Sequence, residues 1–232
     1  MSLTTGRAPF SANPAGQFQP SVPTDVVYVE PFLRRVRARI GERQVVDSER
    51  VLLVHRQGQP PRYAFPEADV HPELPRTAEA AASGYVRVAW DAVTAWFEED
   101  ERVLGLRNPY HRVDCRRCER RVSVSIGDTL LVDTKDVVAL FETSRAPDLY
   151  VPKAAVNMDR LVASATTSYC PYKGQASYWS AVIDGKQHAD VAWSYEEPYA
   201  ECQSIAGMLC FYADRAQVTQ DAMTWFEAPT RT

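Results

Sequence analysis

The side chains best suited to chemistry crowd into one short stretch, Tyr169-Cys170-Pro171-Tyr172-Lys173-Gly174. There a thiol, a phenol and an amine crowd around a proline that fixes φ and a glycine that permits a sharp turn. Only four of the 26 basic residues are lysines (Lys135, Lys153, Lys173 and Lys186), so a lysine in such a turn stands out. Partly buried, Lys173 can hold an anionic group or serve as a base or nucleophile. The plainer reading is a salt bridge to a carboxylate. Glu142, at the end of an apolar run, is the candidate acid/base or counter-ion for it. Cys170 and Tyr172 from the turn, with Tyr150, Trp193 and Tyr195, are candidate binding residues. A Trp/Tyr wall beside small residues such as Ser194, Ala206 and Gly207 suits a shallow β site for a small molecule, and core packing is the competing reading for each aromatic taken alone.

A second group lies upstream, in Asn108-Pro109-Tyr110-His111-Arg112-Val113-Asp114. Histidine titrates near neutrality without perturbation, which makes His111 a candidate acid/base, with Arg112 beside it as a candidate binding residue. A plain hydrogen-bonding role for His111 competes on equal terms. Cys115-Arg116-Arg117-Cys118 has the spacing of half a zinc knuckle, but a closed tetrahedral site takes four ligands and the chain has no second pair so spaced. No metal and no organic cofactor is expected, with Cys115 and Cys118 as the only zinc pair worth naming. Gly-rich phosphate loops, HExxH and Gly-x-Ser-x-Gly are absent.

Composition narrows the classes further. The chain of 232 residues is 45% hydrophobic and 24% charged, which is the make-up of a globular protein with a real core. A net charge of -4 argues against a duplex nucleic-acid partner, which demands a basic face. With no long apolar run, no secretory leader pattern and an odd number of cysteines, five, the expectation is a cytoplasmic protein with reduced thiols and no membrane partner.

The elements that must position these residues come from a duplication. Val36 to Val70 aligns without a gap on Val122 to Val156 at a constant shift of 86, with Gly41/Gly127, Asp47/Asp133, Pro61/Pro147 and Pro66/Pro152 among the identities. Each copy reads strand, Gly turn, strand, Asp-Ser or Asp-Thr turn, apolar strand, then a loop closed by prolines, a β-meander built twice. Val122-Ser123-Val124-Ser125-Ile126 alternates as a half-buried strand does, and Val137 to Phe141 reads as buried on both faces. Beyond the meander, Trp96 to Val103 resembles Phe211 to Val218 at a shift of 115, which assigns 29 extra residues, Cys170 to Gly174 among them, to the second copy. The first copy has in their place an expected short helix from Asp91 to Glu99. The fold class is therefore mainly β, in two units. The expected organisation is a flexible arm at 1–24, a truncated unit at 25–112, a complete unit bearing the site at 113–222, and a tail at 223–232.

The run Cys170-Pro171-Tyr172-Lys173-Gly174-Gln175-Ala176-Ser177-Tyr178-Trp179-Ser180, followed by Ala192-Trp193-Ser194-Tyr195 and Ile205-Ala206-Gly207, resembles the bacterial and fungal family called domain of unknown function 427. It does so in its tandem form, over roughly residues 25 to 222. That resemblance implies a β-tent-like fold, similar to methionine sulfoxide reductase B and the ligand-binding domain of cereblon, with two sheets enclosing a small-molecule cleft. Such relatives often hold zinc through two cysteine pairs, whereas this family usually lacks them. The family also carries a nucleotidyltransferase label. That chemistry uses a Gly-Ser loop together with an Asp-x-Asp/Glu metal pair, and the chain has no Gly-Ser loop.

Three readings of function follow. The first is a small-molecule enzyme without organic cofactor, acting on a polar metabolite in an aromatic-lined cleft of the second unit through Lys173, His111 and Glu142. The second is a non-catalytic small-molecule-binding module. The third is a structural or interaction protein; the oligomeric state is left open.

Overall fold

The computed structural model describes residues 3–18, 21 and 25–220. The chain divides into two compact units, the first running to His111 and the second beginning at Arg112. No helix among the described residues is long and apolar enough to cross a membrane.

In the first unit, strands β1 (Val27–Phe32), β2 (Val36–Ile40), β3 (Arg43–Ser48), β4 (Val51–Arg56) and β5 (Arg62–Pro66) form the meander. They are followed by β6 (Thr77–Ala78), β7 (Tyr85–Arg87), β8 (Ala95–Glu98) and β9 (Glu101–Val103). Two sheets result, in the orders β1-β4-β5-β7-β6 and β3-β2-β8-β9. Their facing apolar rows, among them Val36, Ala38, Leu53, Phe65 and Trp96, make one core. The short helix expected over Asp91 to Glu99 is a single 3-10 turn at Trp90–Ala92, after which the chain is strand. Pairing of Ala38 with Trp96 decides this: β2 offers a free edge, and an alternating Ala-Trp-Phe-Glu run fills it better than a solvated helix would. Of the expected amino-terminal arm, residues 3–18 hold to this unit. Thr4 is fully buried, its carbonyl accepts from the backbone N–H of Gly58 at 2.7 Å, and its hydroxyl donates to the Arg56 and Gln59 carbonyls. The expected tail at 223–232 lies outside the described residues.

The second unit repeats the plan with β10 (Val113–Cys118), β11 (Val122–Ile126), β12 (Thr129–Thr134), β13 (Val137–Glu142) and β14 (Asp148–Tyr150). It then adds β15 (Leu161–Cys170), β16 (Gly174–Ile183), β17 (Lys186–Ser194), β18 (Leu209–Phe211) and β19 (Gln217–Gln220). The repeat at 86 extends to details. Val27 faces Arg56 as Val113 faces Glu142, Val46 bridges Val70 as Val132 bridges Val156, and Arg35 pairs with Asp47 at 2.6 Å as Arg121 pairs with Asp133 at 2.6 Å. β10 therefore belongs to the repeat, which starts one strand earlier than the sequence alignment did.

The insertion is larger than the expected 29 residues. Trp96 opposite Ala38 and Val218 opposite Val124 hold the same place, a shift of 218 - 96 = 122, which leaves 122 - 86 = 36 extra residues. Aromatic likeness had set Trp96-Phe97 against Phe211-Tyr212, seven residues out of register, because ladder position is invisible in side-chain type. Most of the excess is the long hairpin β15-β16, and the rest is the loop holding the 3-10 stretch Ala200–Ile205. This addition gives the second unit a second core. Val137 and Ala139 of β13 point into one cluster, and Val138 and Leu140 into another shared with Tyr150, Tyr195 and Ile205. Phe141, expected inside, is 42% exposed.

Gly41 and Gly127 take φ of +57° and +55° at the matching hairpin turns, where L side chains are strained although space is open. Gly41→Ala and Gly127→Ala should each cost about 1 kcal/mol in urea denaturation. Equal losses would show that the two turns carry the same strain; a neutral result at either would remove that reading.

Candidate functional site

The Cys170 to Gly174 segment is the tip of the β15-β16 hairpin. Cys170 and Gly174 face each other across it, and Gly174 adopts φ +100°. A Cβ there would stand 3.4 Å from the Glu197 carbonyl, so the glycine answers both backbone conformation and close approach. The N–H of Lys173 donates to Cys170 O at 3.3 Å, and the Lys173 carbonyl accepts from Tyr199 N at 3.2 Å. Thus pinned, the Lys173 side chain runs inward to Glu142, the last residue of β13, with Nζ 2.6 Å from Oε2. Both side chains are about 5–6% exposed, so the pair is excluded from water.

Several expected site residues meet around this pair. Lys173 Nζ lies 5.9 Å from the Tyr195 ring centroid, and Tyr150 and Tyr195 are buried in the same core cluster, with Cys170 and Trp193 packed against it. Trp193 Nε1 donates to the Tyr150 hydroxyl at 2.9 Å. Burial pushes both phenols up, Tyr150 and Tyr195 alike. Tyr172 sits in the turn, where its carbonyl accepts a weak bond from the Cys202 thiol at 3.7 Å. Arg112 is mostly exposed and pairs with Asp114 at 2.9 Å. His111 is the last residue of the first unit and donates its backbone N–H to Asn108 O at 3.1 Å.

Three neighbours of Lys173 were not anticipated. Asp148 of β14 is held above the usual carboxylate range by burial, against the pull of Lys173 and Arg145. Cys115 is held below the ordinary thiol range, first by a hydrogen bond from Cys202, with Lys173 and Arg116 adding to the effect against burial. The Cys202 thiol is raised, chiefly by the same contact. Strand alternation explains why Cys115 and Cys118 do not converge: three residues apart on β10, their side chains leave opposite faces and pack in different clusters. Among the described residues no group of three or more His, Cys, Asp and Glu is placed to hold a metal. The same alternation, applied to the repeat, was the signal by which Cys115 could have been found.

The first unit bears a counterpart with its charges exchanged. Arg56 occupies the place of Glu142 and forms an ion pair with Glu79, whose side chain is fully buried and also lies 3.1 Å from Arg87 Nε. Beside it, Tyr63, Trp90 and Trp96 wall a cavity of about 480 Å³, also lined by Arg62, Thr77 and Arg87. Trp90 stacks on Trp96 at 5.3 Å and on Tyr63 at 6.3 Å. The Tyr63 hydroxyl donates to Glu98 at 2.5 Å and Trp96 Nε1 to Trp90 O at 2.9 Å, so both are already satisfied. The sequence signals for it were Arg62, Trp90 and Trp96, which lie far apart from one another or outside the duplicated stretch and so carry no local motif.

Removing one partner of a buried ion pair strands the other. Glu142→Gln and Lys173→Met should each cost about 3–5 kcal/mol in chemical denaturation, and the double variant should recover much of that. Additive losses would show that the two groups are uncoupled. Asp148 supplies a pH test. Its folded-state pKa is raised above the ordinary 3.8, so the stability it confers is present below that value and lost as pH rises through the folded pKa. Asp148→Asn should therefore stabilise the protein at neutral pH and match the parent below about pH 3.8; melting curves across pH would read this, and a constant difference would refute it.

Among curated proteins none matches this chain. A family described as a domain of unknown function, DUF427, matches it over two segments, residues 28–95 and 114–222, one in each unit. The two matched segments coincide with the duplicated halves of the fold, and the chain belongs to the DUF427 family in a tandem arrangement.

Proposed function

We propose that the protein is a small-molecule-binding module, with its ligand seated in the cavity of the first unit. The observation that carries this reading is the 480 Å³ aromatic-walled space, within the range that holds small ligands. Trp90 is 38% exposed there, an unusual outlay of indole surface unless a ligand covers it.

A structural role for Lys173 is favoured by the first unit's counterpart. An ion pair at the end of the same strand occurs in both units with the charges exchanged, fully buried in the second and half-buried at Arg56 in the first, as architecture requires and as catalysis by one amine does not. A second reading, chemistry in the second unit, has one specific observation in its favour: the lowered Cys115 thiol near Lys173. Five free cysteines suit a reducing, cytoplasmic setting, and the net charge of -4 suits a partner other than nucleic acid.

Naphthamide, a flat neutral probe, should raise the melting temperature saturably, by the equivalent of about 2.7 kcal/mol at a hundredfold excess over its Kd. Trp90→Ala should abolish the shift, and the probe should be recovered unchanged. Absence of a saturable shift with any flat probe would sink the binding reading, and chemically altered probe would move the assignment to the second unit.

A further inference from the structure

Resting on that binding reading, we infer that the first-unit cavity selects a planar aromatic carboxylate, held by stacking on Trp90 and by a charge-assisted bond to Arg62. Two arginines line the cavity, and no carboxylate does among the described residues. They are not equivalent. Arg87 is engaged with the buried Glu79, 3.1 Å away, whereas Arg62 has no hydrogen bond or ion pair among the described residues. Arg62, the exposed first residue of β5, lines the same cavity as the aromatic wall. Thr77, also lining the cavity, adds a hydroxyl donor.

Two further facts narrow the ligand to an anion. Among the polar groups of the wall, the Tyr63 hydroxyl is spent on Glu98, the Trp96 indole on the Trp90 carbonyl and Arg87 on Glu79, so the charge of Arg62 is what distinguishes one ligand from another. The second unit carries Asp148 at the position of Arg62, since Val54 faces Arg62 as Leu140 faces Asp148. There the carboxylate is drawn inward beside Lys173, while the first unit presents a cation at the same ladder position. A carboxylate matches the fork of a guanidinium through two parallel bonds, and a flat ring fits between indole and guanidinium planes.

Titration calorimetry of the full chain with naphthoate, naphthamide and naphthylmethylamine at low salt tests this. The expected order is naphthoate tightest, about tenfold or more over naphthamide, with the amine weakest. Arg62→Gln should remove the preference for naphthoate while naphthamide still binds saturably, which separates a lost contact from a misfolded protein. Equal binding of naphthoate and naphthamide, or a preference that survives in Arg62→Gln, would overturn carboxylate selection and leave the binding reading standing. If none of the three binds, both fall.

Discussion

The Lys173–Glu142 pair is the constraint on which the second unit's organisation turns. Two opposite charges held out of water must stay together, since either one alone in that environment is strongly destabilising. Because Glu142 ends β13 and Lys173 tips the β15-β16 hairpin, the pair fixes where twenty residues of added strand lie against the meander. The apolar cluster of Val138, Leu140, Tyr150, Tyr195 and Ile205 then forms beneath that hairpin. In this unit the electrostatic tie and the second core are two aspects of one arrangement.

The first unit solves the same problem with less chain. Without the long hairpin, the end of β4 carries Arg56 instead of a carboxylate, and Glu79, just after β6, supplies the opposite charge. Lacking the hairpin, the first unit has one core, and large aromatics enter it: Trp96 where the second unit has Val218, Tyr63 where it has Leu149. Bulky rings meeting at shallow angles do not fill a corner completely, and the cavity is what remains.

Much of this was legible in the sequence because β-meanders announce themselves by alternation and turn residues. The 86-residue repeat predicted strands that the structure pairs in the same register, and the Cys-Pro-Tyr-Lys-Gly segment was recognisable as a special turn with Glu142 as its partner. What escaped notice depended on contacts distant in sequence. The seven-residue misplacement of Trp96 arose because ring type says nothing about ladder position, and Phe141 was read as buried because an apolar run does not reveal where its cover ends. Cys115 and Cys118 looked like a pair only as long as the chain between them was not known to be a strand. The sequence pointed to the insertion, whereas a missing segment can open a cavity as well as an added one can build it.

The exchanged polarity of the two ion pairs bears on how a duplicated chain avoids confusing its own halves. Tandem copies of one fold can trade equivalent strands while they fold, because each copy offers the other a familiar ladder. Here the trade is penalised at its last step. A Lys173 hairpin tip seated at the end of β4 would bring ammonium against the Arg56 guanidinium, and Glu79 seated at the end of β13 would bring carboxylate against Glu142. Like charges brought together at these positions repel, which disfavours each exchange relative to the native pairing.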